Sequence, residues 1–116
     1  MPDSTQVIYL TIVALILLWL MYTLYRVKVY RFYRPGCFAC RASQGEWAKF
    51  KHMCRFRRIK VVDVDMSKQT DETRELAAKM GVVGVPHVVA VYNDGARIAY
   101  DGQRTADRYL NWVQQR

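Results

Sequence analysis

The chain begins with a long apolar stretch. Thr5 to Tyr25 carries no charged side chain, and its centre, Val7 to Met21, is almost wholly apolar. About 20 such residues span a bilayer as a helix. Tyr9 at one end and Trp19, Tyr22 and Tyr25 at the other suit the two interfaces. A cleaved signal peptide would start basic, have a shorter apolar core and end on small residues. Here the start holds Asp3, and Trp19-Leu20-Met21-Tyr22 has no small pair. The pattern therefore predicts a permanent membrane anchor over 1–25. No Lys or Arg precedes the segment, whereas Arg26, Lys28, Arg31 and Arg34 follow it. The positive-inside rule then puts the rest of the chain on the cytoplasmic side.

Past residue 25 the pattern changes. Val27 to Tyr33 is rich in β-branched and aromatic residues and predicts a strand, ended by Pro35-Gly36. A helical pattern follows from Ala42 to Cys54. It sets Cys40, Ser43, Trp47, Phe50 and Cys54 on one face at spacings of three and four, with Gly45 a local weakness. Arg55 to Arg58 links it to a second strand, Ile59 to Asp65. Thr70 can cap the next helix, with Asp71 and Glu72 in its first turn, Leu76, Ala77 and Met80 on its buried side and Gly81 as its stop. Pro86 opens a third strand, His87 to Tyr92. Asn93-Asp94-Gly95 is a hairpin signal, and a fourth strand is expected over Ala96 to Asp101. Thr105 caps a last helix with Tyr109, Leu110 and Val113 inward. The order is β-α-β-α-β-β-α over a domain at 26–116, with no internal repeat or low-complexity tract.

Of the 116 residues, about 90 follow the anchor, enough for one small domain. Three cysteines are too few for a disulfide scaffold, so the core must come from packing. The formal net charge of +8 fits an anionic membrane surface or a nucleic acid. No RNA-binding or zinc-finger motif accompanies it, so no specific nucleic-acid partner is expected.

Two of the cysteines carry the chemistry. In Arg34-Pro35-Gly36-Cys37-Phe38-Ala39-Cys40-Arg41, Cys37 falls between a strand and a helix start. Backbone N–H groups are unpaired there and the helix dipole is positive, which favours the reactive thiolate. Arg34 and Arg41 should push the same way, and Phe38 and Ala39 between the cysteines tune the pair. Cys40, one turn on, is placed to attack a mixed disulfide at Cys37. That is the minimal equipment for thiol–disulfide exchange. A structural disulfide is the plain alternative. Zinc would need His52 or Cys54 as further ligands, and these lie about three helical turns away, roughly 20 Å; neither a metal nor another cofactor is expected. An iron–sulfur cluster shared between two chains is a further, weaker option. Cys54 reads as core, with lipidation as the rival. His87 reads as a strand-start histidine, and Asp63 and Asp65 as caps of the turn that follows.

A Cys-x-x-Cys inside a βαβ unit points to a redox motif. Together with Val62-Asp63-Val64-Asp65, Met80-Gly81-Val82-Val83-Gly84-Val85-Pro86, and Tyr92-Asn93-Asp94-Gly95 followed by Gly102, it makes the chain from Val27 onward resemble the thioredoxin superfamily. The resemblance implies an α/β thioredoxin-like fold with a four-stranded mixed sheet. It implies Cys37 as attacking nucleophile, Cys40 as resolving cysteine, and Pro86 as a cis-proline against them. Val85 would offer its backbone to an extended substrate by strand addition. The pattern also departs from the family. Gly36 stands where thioredoxins usually have tryptophan, Phe38-Ala39 is neither Gly-Pro nor Pro-Tyr, and Gly45 replaces a helix-bending proline. Arg31 falls where many members bury an aspartate, and the anchor stands in place of the family's first strand and helix.

The expected function is a membrane-anchored thiol–disulfide oxidoreductase acting on protein cysteines, restored by an upstream thiol reductant or oxidant. A cytoplasmic location argues for reduction. The alternative is an adaptor that holds partners at a membrane, as in virion assembly, since the size and anchor resemble small redox proteins of some large DNA viruses; the domain would then face the virion interior. A right-handed crossover would bring the start of the second strand beside the start of the first. Arg55, Arg57, Arg58 and Lys60 would then form a basic pole toward the lipid, roughly 20 Å from Cys37.

Overall fold

A computed structural model describes residues 3–115. Helix α1, Ser4–Thr23, is capped by Asp3, whose carboxylate accepts from the Gln6 N–H. None of Ser4–Met21 is buried against the rest of the chain. Among the described residues it is the one helix long and apolar enough to cross a bilayer, a property that a membrane span and a signal sequence share.

Four strands follow: β1 Val27–Tyr33, β2 Ile59–Asp65, β3 His87–Tyr92 and β4 Arg97–Ala99. They form one mixed sheet in the order β2-β1-β3-β4. β1 and β2 are parallel, with Val27 opposite Ile59 and Tyr33 opposite Asp65, while β3 runs antiparallel to both β1 and β4. The first three strands span the residues expected of them, because each is a β-branched or aromatic run bounded by turn residues. β4 is shorter than the expected Ala96 to Asp101. Past Ala99 the Tyr100 N–H still donates to the Val88 carbonyl at 2.8 Å, and its ring packs on Tyr109 and Trp112, with ring centroids 4.8 and 5.1 Å apart.

The run from the cysteines to Cys54 is two helices, α2 Phe38–Ala42 and α3 Gln44–Cys54, where one continuous pattern was expected. The interruption falls at Ser43, two residues before Gly45. Helix α4, Asp71–Lys79, is capped by Thr70 accepting from Thr73 and stopped by Gly81, whose φ of +69° suits a residue without Cβ. Helix α5, Ala106–Gln114, is capped by Thr105.

Side chains alternate across the sheet. On one face Val27, Val29, Val88, Ala90 and Tyr92 pack under Trp47, Phe50 and Cys54 of α3 and Tyr109 and Val113 of α5. Trp47 is the hub: its ring meets Phe50 at 5.0 Å and Tyr109 edge-on at 5.2 Å. On the other face Phe32, Val64 and Ala77 form a smaller buried cluster beneath α4, and Val89 is buried as well. Cys54 therefore belongs to the core, where burial pushes its thiol up to about 12.

Candidate active site

The parallel pairing puts the ends of β1 and β2 at one edge of the domain, and Cys37 comes after a three-residue turn, Arg34 to Gly36, from the end of β1. A tight turn sets it there, as the Cys37 N–H donates to the Arg34 carbonyl at 3.1 Å. Cys37 is the N-cap of α2: its Sγ accepts from the Cys40 N–H at 3.2 Å, and its carbonyl receives the Arg41 N–H. A sulfur in that position meets backbone donors that have no helical partner. Cys37 is half-buried and Cys40 is buried, 2% exposed.

The two thiols titrate in opposite directions. Cys37 is held below its ordinary value, first by a hydrogen bond from the Cys40 thiol, then by the Cys40 and Ala39 backbone N–H groups and the charge of Arg104; partial burial opposes them. Cys40 is pushed up by burial, then by its bond to Cys37 and that thiolate's charge, while the Arg34 backbone and the Arg31 charge pull it down. The thiolate is thus favoured at Cys37 and the protonated thiol at Cys40.

The Val85–Pro86 peptide bond is cis. It brings the Val85 carbonyl 3.9 Å from the Cys37 Sγ, so a loop 48 residues away in the chain closes over the pair. Of the expected tuning residues, Ala39 acts through its N–H. Phe38 is 78% exposed, its ring in solvent beside Cys37. Arg34 and Arg41 line a hollow with Cys40 and Gln44. The cation whose charge reaches Cys37 is Arg104, just ahead of α5, which the sequence pattern did not single out because only α5 packing brings it near.

Two further placements differ from expectation. Asp63 does not cap a turn. It accepts from the Trp47 Nε1 at 2.7 Å and pairs with Lys51 Nζ at 2.6 Å, tying β2 to α3. Asp65 does cap, accepting from the Ser67 N–H at 2.9 Å. His87 packs on Phe32, ring centroids 6.3 Å apart, and burial lowers its pKa. Arg31, noted only for its unusual position, lies directly behind Cys40: Nη2 donates to the Cys40 carbonyl at 2.8 Å.

A strand-to-helix Cys-x-x-Cys facing a cis-proline loop defines a thioredoxin-type thiol site. The thioredoxin family pattern matches residues 25–115, and the chain belongs to that family. Among solved structures it is similar to the first thioredoxin domain of mouse protein disulfide-isomerase A4, at 25% identity and a TM-score of 0.66, covering 78% of this chain and 62% of that one. It is also similar to the J-Trx1 fragment of ERdj5, at 21% identity and a TM-score of 0.62, covering 84% and 46%. A third likeness is to thioredoxin-2, a component of the malaria parasite's protein secretion machinery, at 22% and 0.63, covering 78% and 82%. The chain thus spans less than two thirds of the first two structures it matches. A thioredoxin fold with this cysteine pair supports thiol oxidoreductase activity in general.

Proposed function

We propose that the protein exchanges disulfides with protein substrates, Cys37 as nucleophile and Cys40 as resolving cysteine. The observation that carries this is the Cys37 Sγ itself, set on backbone donors and facing the Val85 carbonyl. In the reducing direction the Cys37 thiolate attacks a substrate disulfide. That S–S bond breaks, one substrate sulfur leaves as a thiolate that takes up a proton, and a mixed disulfide forms. Cys40 then loses its proton and attacks Cys37, releasing the second substrate sulfur and closing the Cys37–Cys40 disulfide. Two electrons pass to the substrate, and an external thiol reductant restores the pair. Phe38, exposed next to Cys37, and Val83, exposed two residues ahead of Val85, offer apolar contact, and the Val85 backbone offers strand pairing. These features favour a polypeptide over a small disulfide.

The apolar helix serves in this proposal as a permanent anchor over 1–25, with the thioredoxin domain at 26–116 on the cytoplasmic side or, in a virus, the virion interior. Arg55, Arg57, Arg58 and Lys60 form the pole toward the lipid. This is supported by the way the link after α3 meets the end of α1. The Arg26 N–H donates to the Arg58 carbonyl at 2.8 Å, Arg58 Nε donates to the Leu24 carbonyl at 3.1 Å, and Lys60 lies 5.6 Å from the Tyr25 ring centre. Between the arginines Phe56 is 91% exposed.

The test is a trap. Cys40→Ser in the full-length protein should accumulate mixed disulfides with protein substrates, seen as reductant-sensitive bands, and Cys37→Ser should accumulate none. Equal bands from both variants would sink the assignment of roles.

A further inference from the structure

The row Val27, Val29, Arg31 runs along one face of β1, and its last member is a charge in the core. Arg31 is 1% exposed. Its Nη1 donates to the Gln44 Oε1 at 2.8 Å, and its Nη2 donates to the Cys40 carbonyl at 2.8 Å and approaches the Ser43 Oγ at 3.3 Å. The guanidinium lies 5.5 Å from the centre of the Tyr33 ring and 5.4 Å from that of Trp47. Its Nε is buried without a hydrogen-bond partner. Among the described residues no carboxylate forms an ion pair with it. The register partner Asp63 is occupied by Trp47 and Lys51. A buried cation without a counter-ion is expensive, since neither ring face nor carbonyl dipole replaces a full negative charge.

The missing anion is one that the exchange reaction creates. We propose, building on the exchange reaction above, that Arg31 is the fixed counter-charge for the Cys40 thiolate, a positioning residue that drives release of the mixed disulfide. When Cys40 attacks, its thiol proton leaves for water and its sulfur becomes anionic beside the guanidinium. The Cys37–Cys40 bond forms, the bond from Cys37 to the substrate sulfur breaks, and that sulfur departs as a thiolate. An aspartate at this place could accept the proton; a guanidinium cannot, because arginine stays protonated in proteins. Arg31 therefore works by its field alone. The same group bonds the chain where the helix breaks at Ser43. In a continuous helix the Cys40 carbonyl would accept from the Gln44 N–H; here it accepts from Arg31 at 2.8 Å and from the Ser43 Oγ at 3.3 Å, which fastens the charge to the residue it serves. The titratable and charged neighbours of the pair are Cys37 beside Cys40, Arg34 and Arg41 lining the hollow with Cys40, Tyr33 on β1, Asp63 and Lys51 bonded to each other, and Tyr109 on α5, whose pKa burial raises and the Arg31 charge lowers.

The experiment follows release of the two thionitrobenzoate ions when the reduced full-length protein in detergent meets Ellman's reagent, from pH 6 to 10. The first release reports attack by Cys37 and the second reports attack by Cys40. Arg31→Met should slow the second release about tenfold at neutral pH and move its pH midpoint up by about one unit, the low end for removing a nearby opposite charge. Arg31→Lys, which keeps the charge, should recover most of the rate, and the first release should change little in either variant. Equal slowing by Met and Lys with no movement of the midpoint would overturn the proposal and leave Arg31 a helix fastener. The wild-type protein supplies a check that needs no variant: a second release still rising at pH 10 with no midpoint reached, as a thiol buried like Cys54 at about 12 would give, would also overturn it. Absence of any first release would instead count against the exchange reaction.

Discussion

The two ends of the sheet use arginine in opposite ways. At the end where α1 meets the domain, Arg55, Arg57 and Arg58 crowd into one exposed link and Lys60 follows them. Their charges stand in water, where each interacts weakly and salt screens it. At the other end one guanidinium, Arg31, sits in dry protein behind Cys40. There a single charge acts over a short path in a low dielectric. The net charge of the chain points to the first end and the chemistry lies at the second. Counting charges therefore locates a surface, while burial decides which charge can alter a reaction.

The largest effect should separate the ends outright. Cys37→Ser should lower disulfide reductase activity at least about 10³-fold, the scale on which losing an enzyme's nucleophile is felt. Replacing Arg55, Arg57 and Lys60 with glutamine, in detergent, should leave the rate within about twofold, because exposed charges more than a Debye length away are screened. Comparable losses from both sets would dissolve the distinction between the ends.

The second effect compares two buried cysteines, one beside Arg31 and one in the apolar core. The folded protein holds the Cys54 thiol near 12 against an ordinary 9.0. Between these values the unfolded chain has lost that proton and the folded chain keeps it. Stability from this group is therefore full below pH 9 and falls as pH rises toward 12, by about 1.4 kcal/mol per unit. Denaturant titrations of Cys54→Ala should show a shallower alkaline limb than wild type. Parallel limbs would mean that Cys54 is not held as a buried neutral thiol.

The smallest effect tests the basic end. Amides of residues 55–60 should exchange hydrogen more slowly in nanodiscs of anionic lipid than of neutral lipid, and salt should erase the difference. Each basic residue near such a surface contributes about 1 kcal/mol at most. Identical exchange in both lipids would leave the link merely solvated.

Much of the architecture was legible because it is written locally. Alternation marks β1 through β3, Thr70 and Thr105 cap by their own side chains, and Asn93-Asp94-Gly95 turns where Gly95 takes a φ of +87°. The Cys37-x-x-Cys40 spacing, on a strand-to-helix join, was enough to locate the thiol pair. The length and hydropathy of α1 were equally plain. What the chain alone left undecided were contacts between elements far apart along it. Those were the approach of Arg104, the binding of Asp63 to Trp47 and Lys51, and the break at Ser43; the Val85–Pro86 loop over Cys37 was expected, but only from the family resemblance. Arg31 is the clearest case. Alternation sets it on the face of Val27 and Val29, opposite Lys28, and the family resemblance marks its place as unusual, but neither says what covers the charge there. Only the packing of α2 and α3 over β1 buries the one and leaves the other in solvent, because desolvation depends on what covers a residue and not on its neighbours in sequence.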